Sequence, residues 1–167
     1  MALGDRFSGS HLVTTETITR GAELIGDFNP LHVDETFAKA SLYKDRVLHG
    51  VLTSSIMTAP VGNSFHGTTI AYTEHNCRLI RPVYAGDTLN TVWTVTDLLP
   101  KPSHQGGVIS MTGVARNQNK QIVARVKGKI LVKSADHHDH VTSPESVEDT
   151  KDSSEYDSEH SRTSCPN

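Results

Sequence analysis

The segment from residue 26 to residue 34 is the part of this 167-residue chain best suited to proton-transfer chemistry. It reads GDFNPLHVD and places Asp27 and His32 five residues apart. Pro30 lacks a backbone donor and disfavours helical geometry at Asn29, so we expect a turn on which both side chains converge. A carboxylate and an imidazole that meet at one water molecule supply the two proton-transfer partners that hydration requires. In the alternative interpretation, Asp27 and Asn29 only hydrogen-bond to the backbone and stop a helix.

A second polar motif, His49-Gly50, immediately precedes the apolar stretch GVLTSSIMTA. A helix that begins there presents unpaired N–H groups and the positive end of its dipole to an oxygen that gains negative charge. Gly50 would also let a ligand approach the backbone closely. The alternatives are tight helix packing for Gly50 and a capping or buried hydrogen bond for His49. Ser55 lies in the same stretch and is interpreted as pocket lining rather than a nucleophile, because no G-x-S-x-G motif is present.

Basic residues and a histidine-rich run are the remaining candidates. Arg78 and Arg81 are placed to bind phosphate groups as bidentate partners, or simply to lie at a solvated strand end. Residues 137–140 read HHDH, which resembles a metal-binding cluster in composition only. They fall in a segment without the scaffold that fixed ligand geometry needs, so we expect no metal and no redox cofactor.

The second half of the chain up to residue 133 has the pattern of antiparallel strands. Residues 121–133 alternate, with Ile122, Ala124, Val126, Gly128, Ile130 and Val132 on one face and Val123, Arg125, Lys127, Lys129 and Leu131 on the other. This period of two predicts a strand with one wet face. Residues 68–80, 88–99 and 108–116 are also β-prone, and the link NQNK at 117–120 suits a hairpin. We therefore predict four strands in succession.

Two helices are predicted upstream of these strands. Residues 37–43 suit a short helix capped by Asp34 or Thr36. Residues 50–59 have few charges and no strict alternation, which fits a buried helix or a buried strand, and Pro60 and Gly62 are expected to end the run. A largely apolar helix followed by four antiparallel strands predicts an α+β domain whose sheet wraps around that helix.

Charge and composition divide the chain into a body and a tail. Residues 1–133 carry 14 Lys and Arg against 10 Asp and Glu, whereas residues 134–167 carry two basic residues against nine acids. The tail is rich in Ser and has almost no apolar surface to offset the entropy of ordering it. We expect one folded domain over residues 1–133 and a disordered acidic tail over residues 134–167.

Several functional classes are disfavoured by the same composition. The two cysteines, Cys77 and Cys165, form neither a disulfide framework nor a C-x-x-C pair. No secretory signal and no membrane-spanning stretch is evident, so a cytoplasmic protein without membrane partners is expected. The small positive charge of the body gives no basis for nucleic-acid binding.

Three motifs together resemble one known family. The turn GDFNPLHVDE, the segment HGVLTSS and the segment RPVYAGDTL from Arg81 are similar to the MaoC-like (R)-specific enoyl-CoA hydratases and hydroxyacyl-thioester dehydratases. The similarity runs from about residue 21 to residue 133. It implies a hot-dog fold with an antiparallel sheet around a central apolar helix, a homodimer, and an acyl thioester of CoA or acyl carrier protein as substrate.

The resemblance also assigns roles to residues. It implies catalysis by Asp27 and His32, an oxyanion-binding N–H at Gly50, and a pantetheine tunnel beside the strands, with Asn29, His49, Ser55, Arg78 and Arg81 as candidates for substrate contacts. The departures from the family pattern are Lys44-Asp45 in place of a Gly, Phe65-His66-Gly67 in place of Leu-Pro-Gly, and the stretch ITRGAELIG without its usual aromatic residue. They concern the acyl pocket and its rim rather than the acid–base pair.

The predicted reaction is addition of water to a 2-enoyl thioester, or its reverse. Asp27 is the favoured base, with His32 orienting the water and sharing the return of a proton, and the N–H of Gly50 stabilises the transition state by about 3–4 kcal/mol. Two alternatives remain: a hot-dog thioesterase, against which the N-P-x-H arrangement argues, and a non-catalytic acyl-thioester-binding subunit, against which the intact Asp27/His32 pair argues.

Overall fold

The computed structural model describes residues 1–134, which form one five-stranded antiparallel sheet and four α-helices. Its strands are β1 (Arg6–Leu12), β2 (Thr69–Leu79), β3 (Thr88–Lys101), β4 (Gly106–Arg116) and β5 (Ile122–Lys133). Their order across the sheet is β1-β3-β4-β5-β2, and every neighbouring pair is antiparallel. The predicted tail and the run at 137–140 lie outside the described residues. Among the described residues no helix is long and apolar enough to cross a membrane.

The helices lie mainly in the first half of the chain. They are α1 (Thr15–Ile25), α2 (Pro30–Val33), α3 (Glu35–Ala40) and α4 (Gly50–Ser64), and a short 3₁₀ turn covers Pro102–His104. The cap of α3 is Asp34, whose Oδ1 accepts the N–H of Phe37 at 2.9 Å, so the alternative cap Thr36 was wrong. The α+β architecture with a sheet around an apolar helix is the one predicted from the sequence.

The central helix α4 is longer than predicted. Pro60 and Gly62 were expected to end it, yet it continues to Ser64 with Pro60 inside it. Proline costs the helix one backbone hydrogen bond. Its ring is buried against β1, where a Cβ added to Gly9 would lie only 2.6 Å from Pro60 Cγ. Tertiary packing against β1 thus outweighs the local preference to stop.

The main core lies between α4 and the sheet. It contains Met57, Val61 and Phe65 from α4 and apolar residues of β3, β4 and β5, among them the fully buried Trp93. The indole N–H of Trp93 donates to the Met57 carbonyl at 2.7 Å, which fixes the helix to β3. The alternation predicted for β5 is confirmed over most of its length, because Arg125, Lys127 and Lys129 are exposed.

A second core cluster explains where the alternation of β5 fails. Val123 was predicted on the wet face but is fully buried, together with Val13, Ile18, Leu48, Val83 and Leu89. The cause is a β-bulge: the register of β4 and β5 shifts between the pairs Ala115–Ala124 and Arg116–Ile122, so Val123 is an extra residue that interrupts the period of two. The prediction of four strands also omitted β1, a seven-residue edge strand with mixed composition (RFSGSHL).

Candidate active site

The turn that carries Asp27 is built by side chains that bond to its own backbone. Helix α1 ends at Gly26, whose φ of 72° lies in the left-handed region that glycine tolerates best. Asp27 Oδ1 then accepts the N–H of Asn29 at 3.1 Å, and Asn29 Oδ1 accepts the N–H of Leu31 at 3.0 Å. Pro30 occupies the first position of α2, where its missing donor costs nothing. The alternative interpretation of Asp27 and Asn29 as backbone-binding residues therefore holds, but it accounts for only one oxygen of Asp27.

The second oxygen of Asp27 faces the imidazole of His32. Asp27 Oδ2 and His32 Nε2 lie 3.9 Å apart, with the His32 side chain 13% exposed and that of Asp27 49% exposed. This distance is too long for a direct hydrogen bond and suits one bridging water. His32 Nδ1 donates to the Val47 carbonyl at 2.7 Å. Because a carbonyl can only accept, neutral His32 carries its free lone pair on Nε2, toward Asp27.

His49 lies directly behind this pair. It is 1% exposed, and its ring stacks on that of His32 with centroids 3.7 Å apart and planes tilted by 30°. Its Nε2 donates to the backbone carbonyl of Asp27 at 2.9 Å, while its buried Nδ1 has no hydrogen-bond partner among the described residues. His49 is the N-cap of α4 but makes no side-chain capping bond, so of its two proposed structural roles the buried hydrogen bond is the observed one.

Asp27, His32 and His49 bring possible metal-ligand atoms close together, but these atoms are not directed at a common point. Asp27, His32 and His49 each offer an atom within 4.8 Å of the others. The lone pair of an imidazole nitrogen lies in the plane of its ring. Because the rings of His32 and His49 are stacked and tilted by only 30°, their two planes meet farther from either ring than a metal–nitrogen bond of about 2.0–2.1 Å can reach. His49 Nε2 is also bound to a carbonyl. The geometry is that of a hydrogen-bonded group rather than a metal centre.

Gly50 begins α4 and shares a cavity with His32. The cavity has a volume of about 420 Å³ and includes Tyr43, Thr53, Leu79 and Arg81 in its lining. The N–H of Gly50 belongs to the first turn of the helix, which has no intrahelical partner for such groups. A Cβ at this position would lie 2.4 Å from Leu79 Cδ1, so a side chain here would push Leu79 aside. The site thus combines an acid–base pair with a helix N-terminus.

Of the five residues predicted to contact the substrate, only Arg81 lines this cavity. One of its guanidinium N–H groups donates to the Ile122 carbonyl at 2.5 Å. Arg78 is exposed on β2 opposite Arg125. Ser55 lies outside this cavity on the exposed side of α4, and its hydroxyl donates to the Val51 carbonyl at 2.8 Å. The structure therefore brings Asp27, His32, His49 and Gly50 together, and leaves Ser55 and Arg78 apart from them.

The segment RPVYAGDTL has a structural role. Asp87 is buried, its Oδ2 accepts the N–H of Tyr84 at 2.9 Å, and its Oδ1 accepts an amide N–H of Gln118 at 2.8 Å. The turn before β3 is thereby tied to the β4–β5 hairpin. Burial raises the pKa of Tyr84, whose hydroxyl donates to the Tyr43 carbonyl at 3.1 Å on the wall of the cavity.

Sequence reasoning missed two features of the site. One is the Val47 carbonyl that orients His32, because a backbone acceptor has no residue-type signature. The other is a polar cluster of Ser54, Tyr72 and His75 beside α4. A larger cavity, of about 750 Å³ near Phe65 and Leu98, contains none of the predicted site residues.

Comparisons with known proteins agree with this architecture. The family model described as MaoC like domain matches residues 6–114. An (R)-specific enoyl-CoA hydratase from Rhodospirillum rubrum is 32% identical over 98 residues, which are 59% of this chain and 68% of that protein. Another from Aeromonas caviae is 32% identical over 103 residues, which cover 56% of this chain and 77% of that protein. The solved structure of an R-hydratase from Pseudomonas aeruginosa, in unliganded form, superposes with a TM-score of 0.72 at 24% identity and covers 80% of this chain and 83% of that one, which shows a shared fold.

Proposed function

Because the chain belongs to the MaoC-like dehydratase family and is an enzyme of the hydro-lyase class, we propose that it adds water across the 2,3 double bond of an enoyl thioester, or removes it to form that bond. The observation that carries the proposal is the 3.9 Å separation of Asp27 Oδ2 and His32 Nε2 beside the start of α4. The two relatives named above are (R)-specific enoyl-CoA hydratases. The proposed substrate is accordingly an acyl thioester of CoA or of acyl carrier protein.

The nucleophile is a water molecule held between Asp27 and His32. With His32 Nδ1–H committed to the Val47 carbonyl, both groups that face the water accept hydrogen bonds. The water therefore donates one hydrogen to Asp27 and one to His32, and a lone pair of its oxygen is left for the β-carbon. Proton acceptors held in this way contribute about 10²–10⁴-fold to a rate.

The thioester oxygen is placed at the N–H of Gly50. As the water attacks the β-carbon, electron density moves through the α-carbon to this oxygen, where the N–H and the positive end of the α4 dipole stabilise it. The water gives one proton to the Asp27/His32 pair as its oxygen bonds to the β-carbon. One proton passes from the pair to the α-carbon, so the pair returns to its starting state and the product is the 3-hydroxyacyl thioester.

The test is the ultraviolet absorbance of the conjugated enoyl thioester. Purified full-length chain should remove this absorbance from 2-butenoyl-CoA or 2-hexenoyl-CoA without releasing free thiol. Release of free CoA from both saturated and unsaturated acyl-CoA would instead identify a thioesterase. Absence of turnover by the purified chain on every enoyl-CoA tried, with stoichiometric binding retained, would identify a binding subunit.

We also propose that the enzyme is a homodimer that pairs through β2. This strand lies at one edge of the sheet, and Ile70, Leu79 and Ile80 on or beside it are 40–50% exposed. An edge strand with apolar side chains favours pairing with a second copy. Light scattering at micromolar concentration should give twice the chain mass of 18.2 kDa, and a monomer mass would contradict the proposal.

A further inference from the structure

The face of the sheet that points away from α4 carries an excess of positive charge. Strands β2, β4 and β5 together contain six Arg and Lys residues and a single acid, Glu74. Glu74 is paired with Lys129, since its Oε2 lies 2.6 Å from the lysine Nζ. Four exposed cations of these strands form no ion pair among the described residues: Arg78, Arg116, Arg125 and Lys127. These four residues are termed the basic face.

Alternation along β5 directs Arg125 and Lys127 away from the core. Ala124 and Val126 belong to the core cluster beside α4, and successive residues of a strand point to opposite faces of the sheet. Both cations are exposed. The outer side of β5 is therefore basic and faces solvent.

Like charges lie opposite each other in the pairing of β2 with β5. Arg78 is directly opposite Arg125, so the two side chains share one face of the sheet. On the other flank of β5, Val114 is opposite Arg125, and Arg116 follows two residues later on β4. Like charges placed directly opposite each other destabilise a sheet, and a bound anion would remove that cost. Strands β2, β4 and β5 have no unpaired acid to supply it.

The chain carries a matching negative segment beyond β5. Residues 145–159 contain seven Asp and Glu residues and one Lys, and they follow the strand that bears Arg125 and Lys127. Charges attract each other over a Debye length of about 10 Å at 0.1 M salt. Opposite charge thus favours contact between this acidic segment and the basic face.

The connection is long enough for the acidic segment to reach the basic face. Ser134 lies nine positions after Arg125, which is about 31 Å at 3.4 Å per residue of strand. The 11 residues from Ser134 to Glu145 span at most about 36–40 Å. Glu145 and every acid after it can therefore lie over Arg125 without any change in the sheet. A short tether also raises the local concentration of such a segment to about the millimolar range.

We propose that the acidic segment at residues 145–159 binds the basic face of its own chain and covers it. The contact consists of several charge pairs that act together, so salt weakens it. An external polyanion gains access to the basic face only when the acidic segment is displaced. The proposal does not depend on the reaction, because none of the four basic residues lines the cavity of His32 and Gly50.

Carbodiimide cross-linking of the full chain tests the contact, since this reagent joins a lysine amine to a carboxylate that touches it. Lys127 should be joined to acids of residues 145–159 at least about fivefold more often than Lys44, the ratio that one well-formed exposed ion pair supports. Lys44 is an exposed lysine between α3 and α4, outside the basic face. Salt at 1 M, where the Debye length is about 3 Å, should remove most of the difference. Equal joining of the two lysines at low salt, measured by peptide mass spectrometry, would overturn the inference.

Two variants produced together distinguish contact within one chain from contact between copies. Lys127→Arg keeps the charge but cannot be joined, and a second chain keeps Lys127 but has every Asp and Glu of residues 145–159 replaced by Asn and Gln. A cross-link between Lys127 and the acidic segment then forms only between copies. This product should be scarce, and a yield equal to that of wild type would show that the segment binds a second copy instead.

Retention on immobilised heparin, a polyanion that competes for the basic face, gives a second readout. Neutralising the acidic segment should raise the salt needed for elution. Arg125→Gln with Lys127→Gln should lower it strongly in the neutralised chain and only slightly in the wild-type chain, because the segment already covers the face there. Arg20→Gln with Lys44→Gln is the matched control of equal net charge, whose small loss should be the same in both chains. If the basic-face variant loses as much retention in the wild-type chain as in the neutralised chain, the face is open and the inference is wrong.

Discussion

Histidines that lie beside α4 are held in two different ways. At the start of α4, His32 and His49 are largely or wholly buried and donate to the carbonyls of Val47 and Asp27. One turn later, His75 is exposed and is bonded to the hydroxyls of Ser54 and Tyr72. A carbonyl only accepts, so it fixes which ring nitrogen of the imidazole carries the hydrogen, whereas a hydroxyl donates or accepts and is compatible with either tautomer. A fixed tautomer keeps the Nε2 lone pair of His32 facing Asp27, which is what the proposed proton transfer needs.

The largest expected effect tests the fixed pair. Asp27→Asn is nearly isosteric but its amide is a poor proton acceptor, and His32→Ala removes the second group that holds the water. Each change should lower kcat about 10²–10⁴-fold with little change in KM. Because both act on one water, the double variant should be scarcely worse than the poorer single variant. Steady-state kinetics on 2-hexenoyl-CoA measures all three.

Asp34→Asn is the control for this comparison. Asp34 is a nearby carboxylate that caps α3, and asparagine caps a helix equally well. Its rate and its stability should both stay near wild type. If Asp27→Asn folds normally and retains a near wild-type rate, the assignment of the acid–base pair is wrong.

A smaller effect is expected at His49. Its variants distinguish a role in positioning the acid–base pair from a role in packing alone. His49→Ala removes the bond to the Asp27 carbonyl and the ring stacked on His32, so the free energy of unfolding should fall by about 2–4 kcal/mol. The kcat should fall about tenfold at temperatures where the protein is folded. His49→Gln keeps an N–H donor and should recover part of kcat. Lost stability with an unchanged kcat would show that His49 only packs.

Gly50 and Leu79 form the next test, because they should behave as a coupled pair. Gly50→Ala keeps the backbone N–H but places a Cβ 2.4 Å from Leu79 Cδ1, so the leucine must move into the cavity. We expect kcat/KM to fall about tenfold, and adding Leu79→Ala should restore much of it. Additive losses in the double variant would contradict a steric origin.

The smallest effect is expected at Cys77, beside the cluster of Ser54, Tyr72 and His75. Burial raises the pKa of this thiol, and a hydrogen bond with Ser54 partly opposes the shift. Alkylation requires the thiolate, so the reaction at Cys77 should be slower at neutral pH than that of free cysteine and should speed up only at higher pH. Ser54→Ala should raise the pKa further and slow the reaction slightly. Peptide mass spectrometry after iodoacetamide treatment reports the modification of Cys77 alone.

The sequence predicted which helices and strands form better than it predicted where they begin and end. Strand β5 was predicted from the period of two in residues 121–133, and β2, β3 and β4 from the β-prone composition of residues 68–80, 88–99 and 108–116. The edge strand β1 was missed because serine, glycine and histidine break its pattern, and the extension of α4 past Pro60 depends on packing against Gly9. Burial of Val123 likewise depends on a bulge in the pairing of β5 with β4, which only the folded sheet defines.

The candidate site shows the same division. Convergence of Asp27 and His32 was predicted because Pro30 constrains the turn between them. The stacking of His49 on His32 and the bond to the Val47 carbonyl were not predicted. Neither ring stacking nor a backbone acceptor can be recognised from the type of residue at a position. The Ser54–His75 contact joins residues 21 positions apart on two elements whose register only the folded sheet defines.

The two bonds from histidines to backbone carbonyls also determine which part of the chain is free to vary. His32 holds Val47, and His49 holds Asp27, so the segment between them is fastened at both ends by contacts that involve no net charge. A change in the length or composition of residues 35–46, which include α3, should therefore leave the acid–base pair in place. The same fastening should make the pair's geometry insensitive to ionic strength, since salt screens charges and leaves neutral hydrogen bonds in place.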